Sequence, residues 1–175
     1  RAEEEEALAQ RGNGDAPGAM AAACAARGIP FAHVSTDYVF AGTGQTAHKP
    51  GDPVDPQNAY GRTKLAGEDA VRAAGGQHAI LRTSWVFSEY GANFVKSMLK
   101  LSESRDALNI VADQIGGPTP ASGIAAALLA LTDGMLAGKT GGTYHYSGAP
   151  DTSWAGFARE IFDLAGRDVT VSDIP

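Results

Sequence analysis

Cysteine is almost missing from this sequence: Cys24 stands alone. One thiol excludes an internal disulfide framework and any metal site built only from cysteines. On its alanine-rich segment it is expected to be inert packing. Long apolar runs are missing too. One of the longest, Ile124–Leu131, falls far short of the roughly 20 residues that cross a bilayer. Positive charge is sparse: fourteen Lys and Arg are scattered without a stripe, and the net charge is −6. Nucleic-acid binding draws on clustered cations that release counterions, so no nucleic-acid partner is expected. The start, Arg1-Ala-Glu-Glu-Glu-Glu, is acidic where a signal peptide is basic and then apolar, so a cytoplasmic protein without a membrane partner is expected. The Glu3–Glu6 run reads as a solvated helix start.

What is present is an alternation. Of the 175 residues, 43% are apolar, enough for one domain with a core. Helices are expected at Ala16–Arg27, about 57–74, Ala92–Ser104, Pro120–Leu136 and Thr152–Ala165, the last capped by Asp151 or Thr152. Strands are expected at Ile29–Ser35, His78–Thr83, Leu108–Ala112, Gly142–Ser147 and Asp168–Ile174. Between them, Ala41–Asn58 is rich in Gly, Pro and polar residues and reads as a long loop. Phe94, Met98 and Leu101 share one helix face; Ile124–Leu131 is expected to be a buried helix, or else a subunit interface. Such alternation predicts an α/β fold: a Rossmann-like, doubly wound, mainly parallel sheet with a small C-terminal substrate lobe. Residues 1–106 are expected to form a partial dinucleotide-binding region carrying the catalytic residues, and 107–175 a substrate-binding lobe, as one continuous structural unit. The usual opening is missing: no Gly-rich nucleotide loop precedes Ile29. A sheet lacking its N-terminal strands, in a chain cut short at both ends, is the expectation.

The strongest local signal is Tyr60-Gly-Arg-Thr-Lys64. Residues four apart share a helix face. A phenol ionises near pH ~10, and an ammonium within ~4–6 Å lowers that value. Tyr60 can then act as an acid toward a carbonyl oxygen. The pattern alone is weak, because any surface helix with Tyr and Lys carries it. Context strengthens it. Ser35, Thr36 and Asp37 follow an apolar strand, at the end where open α/β sheets bind ligands, although such residues also serve as turn caps. Past the next strand, Trp85 offers either a flat wall for a sugar or nicotinamide ring, or core packing. The four histidines are too dispersed for a metal pattern; His33 and His145 read as satisfied or half-exposed strand residues.

In order along the chain, STDYVF, YGRTKLAGE, LRTSWVF, NFV and DQIGGPT resemble the dTDP-4-dehydrorhamnose reductases, a branch of the extended short-chain dehydrogenase/reductases. The resemblance implies a catalytic set of Thr36, Tyr60 and Lys64 and cofactor contacts from Ser35, Tyr60 and Lys64. It implies substrate contacts from Thr36, Asp37, Trp85, Asn93, Gln114, Pro118 and Thr119. The cofactor would be NADPH or NADH. The reaction would reduce the 4-keto group of dTDP-4-dehydro-L-rhamnose to dTDP-L-rhamnose, which feeds polysaccharide synthesis. Apart from the resemblance, the Ile124–Leu131 segment leaves a homodimer open. Some family members bridge a metal through a glutamate after the Pro-Thr pair; here Pro118-Thr119 is followed by Pro120, Ala121 and Ser122, so no metal is expected. Without the Gly-rich loop, weak cofactor binding and low activity by the 175 residues alone are expected. Two alternatives stay open: a reductase or epimerase of another dTDP-deoxysugar, and a non-catalytic regulatory subunit resembling the methionine adenosyltransferase β subunit.

Overall fold

A computed structural model describes residues 2–44 and 46–175. Arg1, and Gln45 within the expected loop, lie outside the described residues. Helix α1 (Glu6–Gln10) runs through a wide turn at Arg11–Asp15 into α2 (Ala16–Ala25). Strand β1 (Phe31–Thr36) ends in a tight helical turn at Asp37–Val39. The chain continues through α3 (Ala59–Ala73), β2 (His78–Thr83), β3 (Val86–Phe87), α4 (Phe94–Leu101) and β4 (Ala107–Val111). Then come β5 (Ile115–Gly116), β6 (Thr119–Pro120), α5 (Ala121–Leu136), β7 (Gly142–His145), β8 (Thr152–Ser153), α6 (Trp154–Leu164) and β9 (Thr170–Ile174). No described helix is long and apolar enough to cross a membrane.

Contacts divide the chain into two compact units, Arg1–Thr83 with Ala125–Tyr146, and Ser84–Ile124 with Ser147–Pro175. The expected single unit and the boundary at residue 106 both differ from this. Residue 106 lies inside the second unit, because α4, β4, α6 and β9 share one apolar core there. Met98, Leu108, Ile110, Ile161 and Phe162 are buried in it, with Val171 packed against them. A division at 106 would cut through that core.

In the first unit, β1, β2 and β7 form a parallel sheet in that order. Ala21 of α2, Val71 of α3 and Ile80 of β2 meet in its core. Helix α3 starts where Asn58 accepts a hydrogen bond from the Gly61 amide at 2.8 Å, satisfying an orphan donor of the first turn. The acidic run does more than meet solvent: Glu3 accepts from the Ala59 amide, and Glu6 holds the Arg62 guanidinium with two bonds of 2.9 Å. In the second unit, β4 pairs in parallel with β9, β3 in parallel with β6, and β5 antiparallel with β8. The two-residue strands among them, β3, β5, β6 and β8, have no periodicity to read in sequence. The cap of α6 is Ser153, which accepts from the Gly156 amide at 3.0 Å, in place of the expected Asp151 or Thr152. Pro120 sits in β6, one residue before α5. Helix α5 corrects the expectation of a buried segment: Ile124 is buried, but Leu129 is 67% exposed.

Candidate functional site

The first unit gathers Ser35, Thr36, Asp37, Tyr60 and Lys64 at the C-terminal end of β1 and the start of α3. Two local devices put them there. The Thr36 hydroxyl accepts from the Tyr38 amide at 3.2 Å and so caps the turn that follows β1. Gly61 then lets α3 approach that turn: a Cβ at position 61 would lie 2.2 Å from the Tyr38 carbonyl oxygen. The Tyr38 and Tyr60 rings consequently meet edge to face, 5.8 Å apart.

Thr36 is buried, and its hydroxyl donates to Asp37 at 3.1 Å. Tyr60 stays 40% exposed. Desolvation raises its pKa, the Thr36 hydroxyl opposes that, and the charge of Asp37 adds to the rise. Asp37 is accessible at the surface, yet the protein around it desolvates its carboxyl and raises its pKa, against the Thr36 hydrogen bond. Lys64 departs from the expected role. Its ammonium donates to the Val34 carbonyl at 2.6 Å, and burial lowers its own pKa while Glu68 opposes. The expected lowering of the Tyr60 pKa is therefore not what this arrangement produces; the net influence on the phenol is upward. The bond to Val34 uses one of the ammonium's three donors.

Sequence reasoning missed the group beneath these residues. Glu68, one helical turn beyond Lys64, is fully buried. Arg82 of β2, also buried, grips it through two bonds of 2.8 and 2.7 Å, and Arg72 adds a third at 2.7 Å. Burial disfavours the Glu68 charge, but the hydrogen bonds from Arg82 and Arg72 outweigh it and hold the carboxyl below the usual range. Ser35 faces this carboxylate without reaching hydrogen-bond geometry, so its buried hydroxyl has no partner. Arg82 also lies 5.0 Å from the centre of the Phe40 ring, whose other contacts include His48, stacked at 4.1 Å, and the edge of His145 at 5.6 Å. The only sequence signal was i, i+4 spacing from Lys64 to Glu68 and Arg72, which is common on surface helices.

His33 corrects the expectation of a satisfied or half-exposed residue: it is buried, and its Nε2 has no partner. Burial, then the nearby Lys64, lower its pKa to about 4, with Glu68 opposing. The folded state thus refuses a proton that the unfolded chain takes up near pH ~6.5. Its contribution is complete above that pH and is lost as pH falls toward about 4. Between pH ~7.5 and ~5, the protein is expected to lose about 2 kcal/mol of stability through this residue. Urea midpoints at the two pH values measure it, and His33→Leu should flatten the difference. An equal slope in the variant would remove His33 from the account.

The remaining expected residues all belong to the second unit. Trp85 has φ of 50° and stacks on Trp154 with ring centres 3.6 Å apart. Asn93 caps α4, accepting from the Lys96 amide at 3.2 Å and donating to the Ser88 carbonyl at 2.6 Å. Thr119 is buried, donating to the Gly117 carbonyl at 2.7 Å and accepting from the Gly148 amide at 3.1 Å. A ligand contact by the Asn93 or Thr119 side chain competes with these bonds. Gln114 is exposed and Pro118 half-buried.

A nicotinamide cofactor can be tested against the first unit. Tyr60 and Lys64, one turn apart and both reachable from solvent, supply a hydroxyl and spare ammonium donors that suit a ribose and a carbonyl oxygen. The residues fit that end of the cofactor. A Gly-rich turn for a pyrophosphate does not occur in the sequence.

Known proteins resemble the chain over nearly its whole length. The chain matches the family described as RmlD substrate binding domain over residues 1–174. It is 45% identical to a dTDP-4-dehydrorhamnose reductase of Sinorhizobium fredii over 169 residues, 93% of this chain and 57% of that protein. Among solved structures, it resembles a dTDP-4-dehydrorhamnose reductase of Clostridium acetobutylicum (39% identity, TM-score 0.93, covering 99% of this chain and 60% of the other). A Bacillus anthracis dTDP-4-dehydrorhamnose reductase, solved in complex with NADP, gives 36% identity and a TM-score of 0.92, covering 99% and 61%. The chain thus spans a little over half the length of these relatives. With the reductase motifs, the parallel sheet and this match over nearly every residue in hand, the chain belongs to the dTDP-4-dehydrorhamnose reductase family.

Proposed function

We propose that the intact protein is an NAD(P)H-dependent reductase of the 4-keto group of dTDP-4-dehydro-L-rhamnose, forming dTDP-L-rhamnose. The observation that carries this reading is the gathering of Thr36, Tyr60 and Lys64 at one end of β1, with Tyr60 still open to solvent. Reduced nicotinamide, when bound, supplies the hydride that the sugar C4 accepts. Tyr60 is the proton donor: a phenol is protonated at neutral pH and gives its proton to the C4 oxygen as negative charge develops there. Thr36, held on its turn by the bond it accepts from Tyr38, orients that oxygen by turning its one proton from Asp37 to it. Lys64 holds the nicotinamide ribose. Asp37 and Trp85 contact the deoxysugar, with Asn93, Gln114, Pro118 and Thr119 belonging to its surroundings, and Ser35 to those of the cofactor. Association with a second copy is part of the same reading, supported by Leu129 and Leu136 exposed on α5.

The test is oxidation of NADPH, and separately NADH, by the intact protein with dTDP-4-dehydro-L-rhamnose. One cofactor consumed per sugar reduced is expected. Interconversion of sugar epimers without net consumption would replace the reading with an epimerase. Cofactor binding with no turnover of any keto-sugar would favour a regulatory subunit.

A further inference from the structure

One face of α3 carries Tyr60, Lys64, Glu68 and Arg72, each four residues from the next. A lysine and a glutamate at that spacing are within reach of each other and commonly pair. Here they hold other partners. The Lys64 ammonium donates to the Val34 carbonyl of β1 at 2.6 Å. Among the described residues, the ion pairs of Glu68 are with Arg82 and Arg72. Arg82 of β2 donates to Oε1 at 2.8 Å and to Oε2 at 2.7 Å, while Arg72 donates to Oε2 at 2.7 Å. Oε1 is therefore held by Arg82. The guanidinium of Arg82 is also fixed without Glu68. It donates to the Pro50 carbonyl at 3.2 Å and lies 5.0 Å from the centre of the Phe40 ring. Glu68 and Arg82 are both buried.

Stability does not account for such a pair, because apolar side chains of similar volume serve a buried site as well or better. The geometry has a consequence for the lysine instead. An ammonium has three donors, and the bond to Val34 leaves two. A carboxylate one helical turn away, in a desolvated seam, attracts them strongly. The Glu68 charge does act on Lys64, opposing the effect of burial on its pKa. The planar fork of Arg82 matches both carboxylate oxygens and ties them to β2. We propose that Arg82 is a positioning residue for the cofactor: by occupying the Glu68 carboxylate, it keeps the Lys64 ammonium free for the nicotinamide ribose. The role rests on the reductase reading above, which assigns Lys64 to that ribose.

Fluorescence titration of the intact protein with NADPH tests this without turnover. Arg82→Met frees Oε1, so Glu68 turns to Lys64 and the Kd for NADPH should rise about tenfold, the loss of one charged hydrogen bond. Adding Glu68→Met removes the captor, and the double variant should bind within about threefold of the unsubstituted protein. Both variants lack the bond to Pro50, so recovery in the second isolates the carboxylate. Lys64→Met supplies the readout that a merely structural role does not move. It should weaken binding about tenfold in the unsubstituted protein and in the double variant, but less than about twofold on top of Arg82→Met, where the lysine is already taken. Where Arg82→Met does not fold, Arg82→Gln with and without Glu68→Gln repeats the comparison in a polar seam. An unchanged Kd in the folded Arg82 variant overturns the proposal, as do additive losses with Lys64→Met or a double variant as weak as the single one. No effect of Lys64→Met in the unsubstituted protein removes Lys64 from the ribose, and the proposal with it. The expected pattern of NADPH binding without turnover of dTDP-4-dehydro-L-rhamnose defeats the substrate assignment and leaves the role of Arg82 standing.

Discussion

Replacing Tyr60 with phenylalanine is expected to lower kcat for the nucleotide sugar by about 10²–10⁴-fold, the usual contribution of a placed proton donor. That loss corresponds to about 3–5 kcal/mol of barrier. The ring contact with Tyr38 survives the change, since it needs no hydroxyl. Stability should therefore move by no more than about 0.5 kcal/mol, as for other changes at a partly exposed side chain. Steady-state kinetics and a urea titration of the same sample separate the two effects. A loss below about tenfold would shift the donor role to another group, Thr36 being the nearest hydroxyl on the turn. The reaction consumes a proton, which a phenol carries at neutral pH, and burial with Asp37 alongside raises the Tyr60 pKa further.

Glu68→Ala should be the most damaging single change to stability in the first unit, at about 3–5 kcal/mol. The substitution strands Arg82, which is 4% exposed and holds Glu68 through two hydrogen bonds. A buried ion pair contributes little net energy compared with apolar residues in its place, but removing one partner leaves the other charge desolvated and unpaired. Glu68→Gln should cost less, because an amide still accepts from a guanidinium. Urea midpoints at neutral pH give the comparison, and a cost below about 1 kcal/mol for the alanine variant would mean that water reaches Arg82. The sign with pH follows from the lowered carboxyl. Glu68 contributes above the ordinary carboxylate range, and that contribution fades as pH falls through its depressed value. The same pair pins α3 to β2, so the turn carrying Lys64 and the strand end beside Ser35 are held by one carboxylate.

Much of the architecture was legible because it is local. Strand β2 occurs at the expected residues, and α3 within one or two of them, since each is bounded by its own local sequence: an apolar run for β2, and for α3 the end of the Pro-rich loop. The four strands of two residues each were illegible for the converse reason: they exist through pairing with remote partners, such as Val86 with Thr119. Solvated glutamates were the natural reading of Glu3 and Glu6, because their partners Ala59 and Arg62 lie 56 residues away.

By itself, the sequence determined the α/β alternation, the shared helix face of Tyr60 and Lys64, the polar end of β1 and the family resemblance. Each depends on a repeat of two or of 3.6 residues, or on a motif with fixed spacing. Only the tertiary structure decided where those side chains point. Lys64 turned to Val34, Glu68 closed on Arg82, and Trp154 lay down on Trp85. The reason is physical. Periodicity states which face a residue occupies, but a partner tens of residues away is selected by packing and desolvation summed over a whole unit. Nothing in the neighbouring sequence carries that sum.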